Sequence, residues 1–203
     1  MKSIKMLTSL LLIGLLVFGL VLNTGCKKQA ELVTLTFAKS GDVVKLDPAD
    51  VTDGESVTVM DNIFEGLIRY KKGSSELEPC LAERWEEGED GMSFTFYLKR
   101  GVKFHDGTDF NADAVVFSFE RQRDPNHPFN KYGKWEYWSW CFNEIEKTEK
   151  IDDYTVKITF NEKFAPFLTT MAMFTVFIVS PTNHEKWGEE AYAHPVGTGP
   201  FKF

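Results

Sequence analysis

Two stretches of the chain alternate apolar and polar side chains with a period of two. In "MSFTFYLKRGVKF" (92–104), Phe94, Phe96 and Leu98 share one side. In "DDYTVKITF" (152–160), Tyr154, Val156, Ile158 and Phe160 point one way and Thr155, Lys157 and Thr159 the other. That period predicts half-buried strands. Gly101 marks a break or bulge, after which Val102 and Phe104 resume the alternation. "EIEKTEKIDDYTVKITF" reads as two strands joined at Asp152–Asp153, and "LVTLTFA" (32–38) alternates Val33, Leu35 and Phe37 as a strand does.

Other stretches follow the helical period. "SVTVMDNIFEGLIRY" (56–70) places Val57, Met60, Phe64, Leu67 and Ile68 on one helical face. "KKGSSELEP" reads as a turn and "LAERWEEGEDG" as a short amphipathic piece running into glycine-rich turn chemistry. Further on, "APFLTTMAMF" is expected to be helical, "TVFIVS" a buried strand, and "PTNHEKWG" a short helix with Pro181 near its start. Strands and helices in mixed spacing, without strict βαβ alternation, make this a mixed α/β chain.

The stretch 103–125, "KFHDGTDFNADAVVFSFERQRDP", holds His105 beside Asp106, with Asp109 and Asp113 close behind. Catalysis or metal binding has to be weighed against a helix start. Asn111 is a good N-cap, Asp113 complements the positive end of the helix dipole, and Phe110 with Val115 can form a hydrophobic staple. Ala112, Val115, Val116 and Phe119 make a buried stripe, Arg121 and Arg123 fall at the C-terminal end, and Asp124–Pro125 ends the helix. "HDG" suits a tight turn. No nucleophile with a placed base is signalled nearby, so no residue is expected to be catalytic. His127, His184 and His194 are scattered without metal-ligand spacing, so no metal or cofactor is expected.

The N-terminus adds a destination. Lys2 and Lys5 precede an uncharged, Leu-rich run from Met6 to Leu22, followed by "NTGCKKQAE". At about 17 residues the run is short for a membrane span, so a signal peptide over 1–25 is the preferred reading over an uncleaved anchor. "LNTGC" resembles a bacterial lipobox, although Asn23 departs from its pattern. That resemblance implies acylation of Cys26, a lipidated tether over 26–32, and an extracytoplasmic location on a bacterial membrane. The chain carries a net charge of −7. An acidic chain without a basic cluster argues against nucleic acid as a partner. Export makes Cys80 and Cys141 candidates for a disulfide, with two free thiols as the alternative. Residues 26–203 suffice for one hydrophobic core.

"FTFYLKRGVKFHDGTDFNADAVVFSFER" resembles the signature of the extracytoplasmic solute-binding proteins of peptide-type ABC importers, family 5. "LDP" (46–48), "IFEGLI" (63–68), "LAERWE" (81–86), "IDDYTVKITF" (151–160) and "GTGPFKF" (197–203) match further landmarks in the same order. The resemblance covers 33–203 and implies a periplasmic-binding-protein class II-like, two-lobed clamp. Such a clamp captures a small solute, most often a peptide, and delivers it to ABC permease subunits without breaking a bond. The chain is less than half the family's usual length, so the expectation is the N-terminal part of the domain with the C-terminal lobe missing. A compact one-lobed variant is the alternative. A clamp with one jaw is expected to bind weakly or not at all.

Two regions are candidates for solute contacts. The loop "VTDGES" (51–56) aligns with a family segment that lines the cleft, which implies roles for Thr52, Asp53 and Gly54; an ordinary turn before a helix is the alternative. "KYGKWEYWSWCF" (131–142) carries Tyr132, Trp135, Tyr137, Trp138 and Trp140 without a clean periodic stripe. Aromatics there can cover a solute side chain, with Tyr132, Trp135 and Trp138 the chosen contacts, or can fill a core. A secreted hydrolase and a surface lipoprotein without a cleft are the rival readings. Ser118 and Ser139 lack the nucleophile-elbow pattern, and "GTGP" is not a phosphate loop.

Overall fold

The computed structural model describes residues 33–203. The expected signal peptide (1–25), Cys26 and the whole 26–32 tether lie outside them. Residues 33–38 are described but belong to no strand, and Val33, Leu35 and Phe37 are exposed. The strand expected at 32–38 is therefore absent there. Alternation alone supplies no ladder.

From Lys39 onward, a 3-10 turn at Pro48–Asp50 leads to helix α1 (Gly54–Ile63), which Asp53 caps by accepting from the Ser56 amide at 2.8 Å. The helix expected to run through Tyr70 ends at Ile63. Met60, Phe64, Leu67 and Ile68 are nonetheless buried. The chain leaves the helix because Ile68–Tyr70 (β1) pairs antiparallel with Leu77–Pro79 (β2) across the expected turn. The next piece is also a strand, β3 (Ala82–Glu87), not an amphipathic helix. Trp85 sits opposite Phe96 of β4 (Ser93–Leu98), and that cross-strand pair outweighs the helical spacing.

Helix α2 (Ala112–Arg123) is capped as expected: the Asn111 side chain accepts from the Ala114 amide at 3.2 Å. A short helix α3 (Glu136–Cys141) precedes the hairpin of β5 (Ile145–Asp152) and β6 (Thr155–Phe160). The four long strands form one antiparallel sheet in the order β3-β4-β6-β5. Helix α2 packs on β5 and β6, and Phe94, Phe96, Val115, Phe119, Val156, Ile158 and Phe160 meet in the core. Fully burying each of these side chains is worth about 1.5–3 kcal/mol, so this layer carries much of the stability.

The last forty residues are less regular. Only Phe167–Thr170 of the expected helix 165–174 forms an α-helix, α4. "TVFIVS" is buried as expected but is no strand, because its amides go elsewhere. The Ile178 amide bonds the Glu65 carbonyl, that of Val179 the Ser118 hydroxyl, and that of Ser180 the Val196 carbonyl. Helix α5 (Pro181–Trp187) starts at the expected proline, with Ser180 as its cap.

Candidate functional site

The segment before α1 is held at several points. The Asp47 side chain accepts from the Ala49 amide at 3.1 Å, and Leu46 and Val51 are buried beside Met60 and Ile63. Asp50 pairs with Lys45 and accepts from the Lys134 amide at 2.7 Å. That last bond joins the two regions singled out in the sequence. Between them lies a depression of about 180 Å³, lined by Ala49, Asp50, Val51, Thr52, Lys134 and Glu136. Thr52 and Gly54 are exposed, and a Cβ added at Gly54 would meet nothing within 4 Å, so packing does not require a glycine there. Asp53 has a structural task as the cap of α1.

The aromatic stretch divides. Trp135 is 6% exposed and Trp138 5%, and both belong to the core. The expected solute contacts at these two rings are therefore corrected: neither presents a free ring face. Trp138 stacks on Phe142 and meets Phe119 edge-on. Trp135 is the one non-glycine residue with positive φ, 53°, among the described residues. Its indole Nε1 donates to the Asn130 carbonyl at 2.8 Å and its ring lies 5.2 Å from the Arg121 guanidinium. Gly133 is fixed by that ring, since a Cβ would come within 2.6 Å of it. Tyr132 is half-buried against Phe129, while Trp140 is 70% exposed beside Tyr137.

His105 and Asp106 form a clip between two segments of the chain. The His105 Nε2 donates to the Gly199 carbonyl at 2.7 Å, and the Gly197 amide donates to Nδ1 at 3.4 Å. Asp106 accepts from the Thr108 amide and hydroxyl and from the Ser180 hydroxyl, at 2.6–2.9 Å. Burial alone would raise its carboxyl, but these bonds hold the pKa below the ordinary carboxylate value. The clip seats "GTG" on the end of α1, where the Gly199 amide bonds the Ile63 carbonyl. Cβ atoms at Gly197 and Gly199 would lie 2.1 and 2.7 Å from the Ile63 backbone.

A third grouping escaped the sequence reading. Arg121, expected at a helix end, is 1% exposed and donates through both Nη atoms to Asp47 at 2.7 Å. Its Nη1 also reaches His184 Nε2 at 3.2 Å. Burial would raise the Asp47 carboxyl, yet Arg121 and His184 hold it well below the usual carboxylate value. A sequence signal existed: Ala114 and Ser118 precede Arg121 on the same helical face and are small enough to admit a long side chain. Cys80 and Cys141 are free thiols. Burial and Glu65 push the Cys80 thiol up to about 11, which makes it a poor nucleophile. Among the described residues no three His, Cys, Asp or Glu side chains gather as a metal site.

Comparison with known proteins agrees with the sequence resemblance. Residues 76–203 match the profile of bacterial extracellular solute-binding proteins, family 5 Middle. Heme-binding protein A of Haemophilus influenzae is 40% identical over 192 residues, or 87% of this chain, and glutathione-binding protein GsiB of Shigella dysenteriae is 37% identical over 93% of it. The periplasmic binding protein DppA of Helicobacter pylori, solved with the peptide STSA, superposes with a TM-score of 0.74 at 38% identity over 80% of this chain. The chain spans 35% of the length of each of these relatives.

Proposed function

The chain belongs to the bacterial extracellular solute-binding proteins of family 5, and from that membership we propose that it forms one wall of a site capturing a small solute, most readily a peptide, for an ABC permease. The supporting observation is the depression where residues 49–52 meet Lys134 and Glu136. Thr52 and the exposed backbone at Gly54 offer polar contacts common to any peptide. Lys134 and Glu136 place opposite charges on one rim, as a zwitterion's two ends require. Asp53 holds the loop in place by capping α1. The relatives' heme and glutathione make those solutes further candidates. In this reading residues 1–25 export the chain, lipid on Cys26 anchors it through the 26–32 tether, and no residue breaks a bond.

Thermal unfolding with a panel of short peptides, glutathione and heme tests this. A solute at about 100 times its Kd stabilises by about 2.7 kcal/mol. Thr52→Trp, which fills the depression, should abolish the rise in Tm while leaving the unliganded Tm in place. A Tm raised equally in the Trp variant would overturn the assignment of this wall.

A further inference from the structure

We propose that Asp47, Arg121 and His184 form an acid-sensitive latch on the segment 46–52, released when His184 takes up a proton. The geometry fixes the ring's tautomer. Nδ1 faces the Ser180 carbonyl at 3.2 Å, an acceptor only, so Nδ1 carries the hydrogen. Nε2 is left with its lone pair, which accepts from Arg121 Nη1 at 3.2 Å. A guanidinium cannot give up its proton, so the contact exists only while His184 is neutral. Protonating Nε2 sets two donors face to face. The remaining acceptor is Asp47 Oδ2, 3.8 Å from Nε2 and already bonded to Arg121 Nη1 at 2.7 Å. The cluster then holds two cations and one carboxylate, having gained one proton from solvent, and Asp47 must turn to serve both.

Asp47 is not free to turn without consequence. Its Oδ1 accepts from the Ala49 amide and thereby starts the 3-10 turn that carries Asp50, which holds Lys134. A carboxylate drawn toward His184 loosens the turn that borders the depression. Around the ring, the charged groups are Asp47 from the loop and Arg121 from α2, with Glu185 and Lys186 following on its own helix. Phe117 and Phe129 meet it edge-on, and His127 packs on the same two rings. Tyr192, with Lys45 over its ring, lines the same small recess.

Burial, then the Arg121 charge, hold the His184 pKa below the ordinary imidazole value, against the smaller pull of Asp47. The unfolded chain thus takes up this proton first as pH falls. The stability contributed by neutral His184 is full above the unfolded value, near 6.5, and declines as pH drops from there toward the folded value.

An NMR titration of the protein without any solute tests the latch, so its failure is distinguishable from failure of the solute-binding reading. The ring signals of His184 should titrate with a midpoint below 6.5, and the amides of Ala49 and Lys134 should shift with that same midpoint. His127→Gln should leave the transition in place. His184→Gln keeps an acceptor for Arg121 but takes no proton, and should flatten both amide curves above the range where carboxylates titrate. Amides that stay still while His184 protonates would overturn the proposal. So would an amide transition that persists in His184→Gln, or a ring that stays neutral down to acid unfolding. If the Gln variant does not fold, agreement or disagreement of midpoints in the unaltered protein decides.

Discussion

His105–Asp106 and Asp47–Arg121–His184 are both groupings of histidine with carboxylate, and they differ in every other respect. The first pair is adjacent in sequence, and Asp106 is exposed. The second is buried, and Arg121 stands 74 residues from Asp47 and 63 from His184. Adjacency drew attention to the pair, yet its hydrogen bonds all go to the backbone and hydroxyls that seat "GTG" on α1. Burial, not proximity in sequence, creates the interdependence of charges in the second grouping. A polar pair on the surface shares its energetics with water, whereas a buried one depends wholly on its partners.

That contrast is open to attack by mutation. Arg121→Met leaves Asp47 buried without a counter-charge and should destabilise by about 3–5 kcal/mol in denaturant unfolding. Adding Asp47→Asn removes the unpaired charge, so the double variant should recover part of the loss. A double variant worse than Arg121→Met would show that the pair acts separately.

The clip should respond to its backbone more than to its charges. Gly197→Ala drives a Cβ to 2.1 Å from the Ile63 carbonyl oxygen and should cost about 1–3 kcal/mol, read as a lower denaturation midpoint with unchanged slope. Asp106→Asn should cost about 1 kcal/mol or less, since the carboxylate is exposed and its bonds compete with water. Because folding lowers the Asp106 pKa, its contribution is present above the ordinary value of 3.8 and fades as pH falls through the folded value. The Asn variant should therefore lose that acid-range slope and keep the one His184 imposes nearer neutrality.

The same contrast explains what was legible in the sequence. Helix α2 was readable from Asn111, the apolar stripe and Asp124–Pro125, because each signal acts within a few residues. The strands β4 and β6 were readable from their alternation, and their burial follows it; β5 was readable only as the partner across the turn at Asp152–Asp153, and its burial does not alternate. The strand at 82–87 was not, because what holds it is Trp85 against Phe96, a contact made across the sheet. The buried run 175–180 kept its burial but not its strand, because Ser118, Glu65 and Val196 claim its amides. Of the candidate site, Thr52 and Gly54 lie at the depression or next to it, while Trp135 and Trp138 went to the core. A list of aromatics does not tell which rings a guanidinium and a phenylalanine will cover.

The role as a binding wall without chemistry is tested most directly by an amide NMR map recorded while a millimolar short peptide is added. Weak capture at the proposed wall requires shifts at Thr52, Gly54 and Lys134, with the peptide's own signals unchanged over time. Shifts centred on His105 and Asp106, together with the appearance of cleaved peptide, would contradict it.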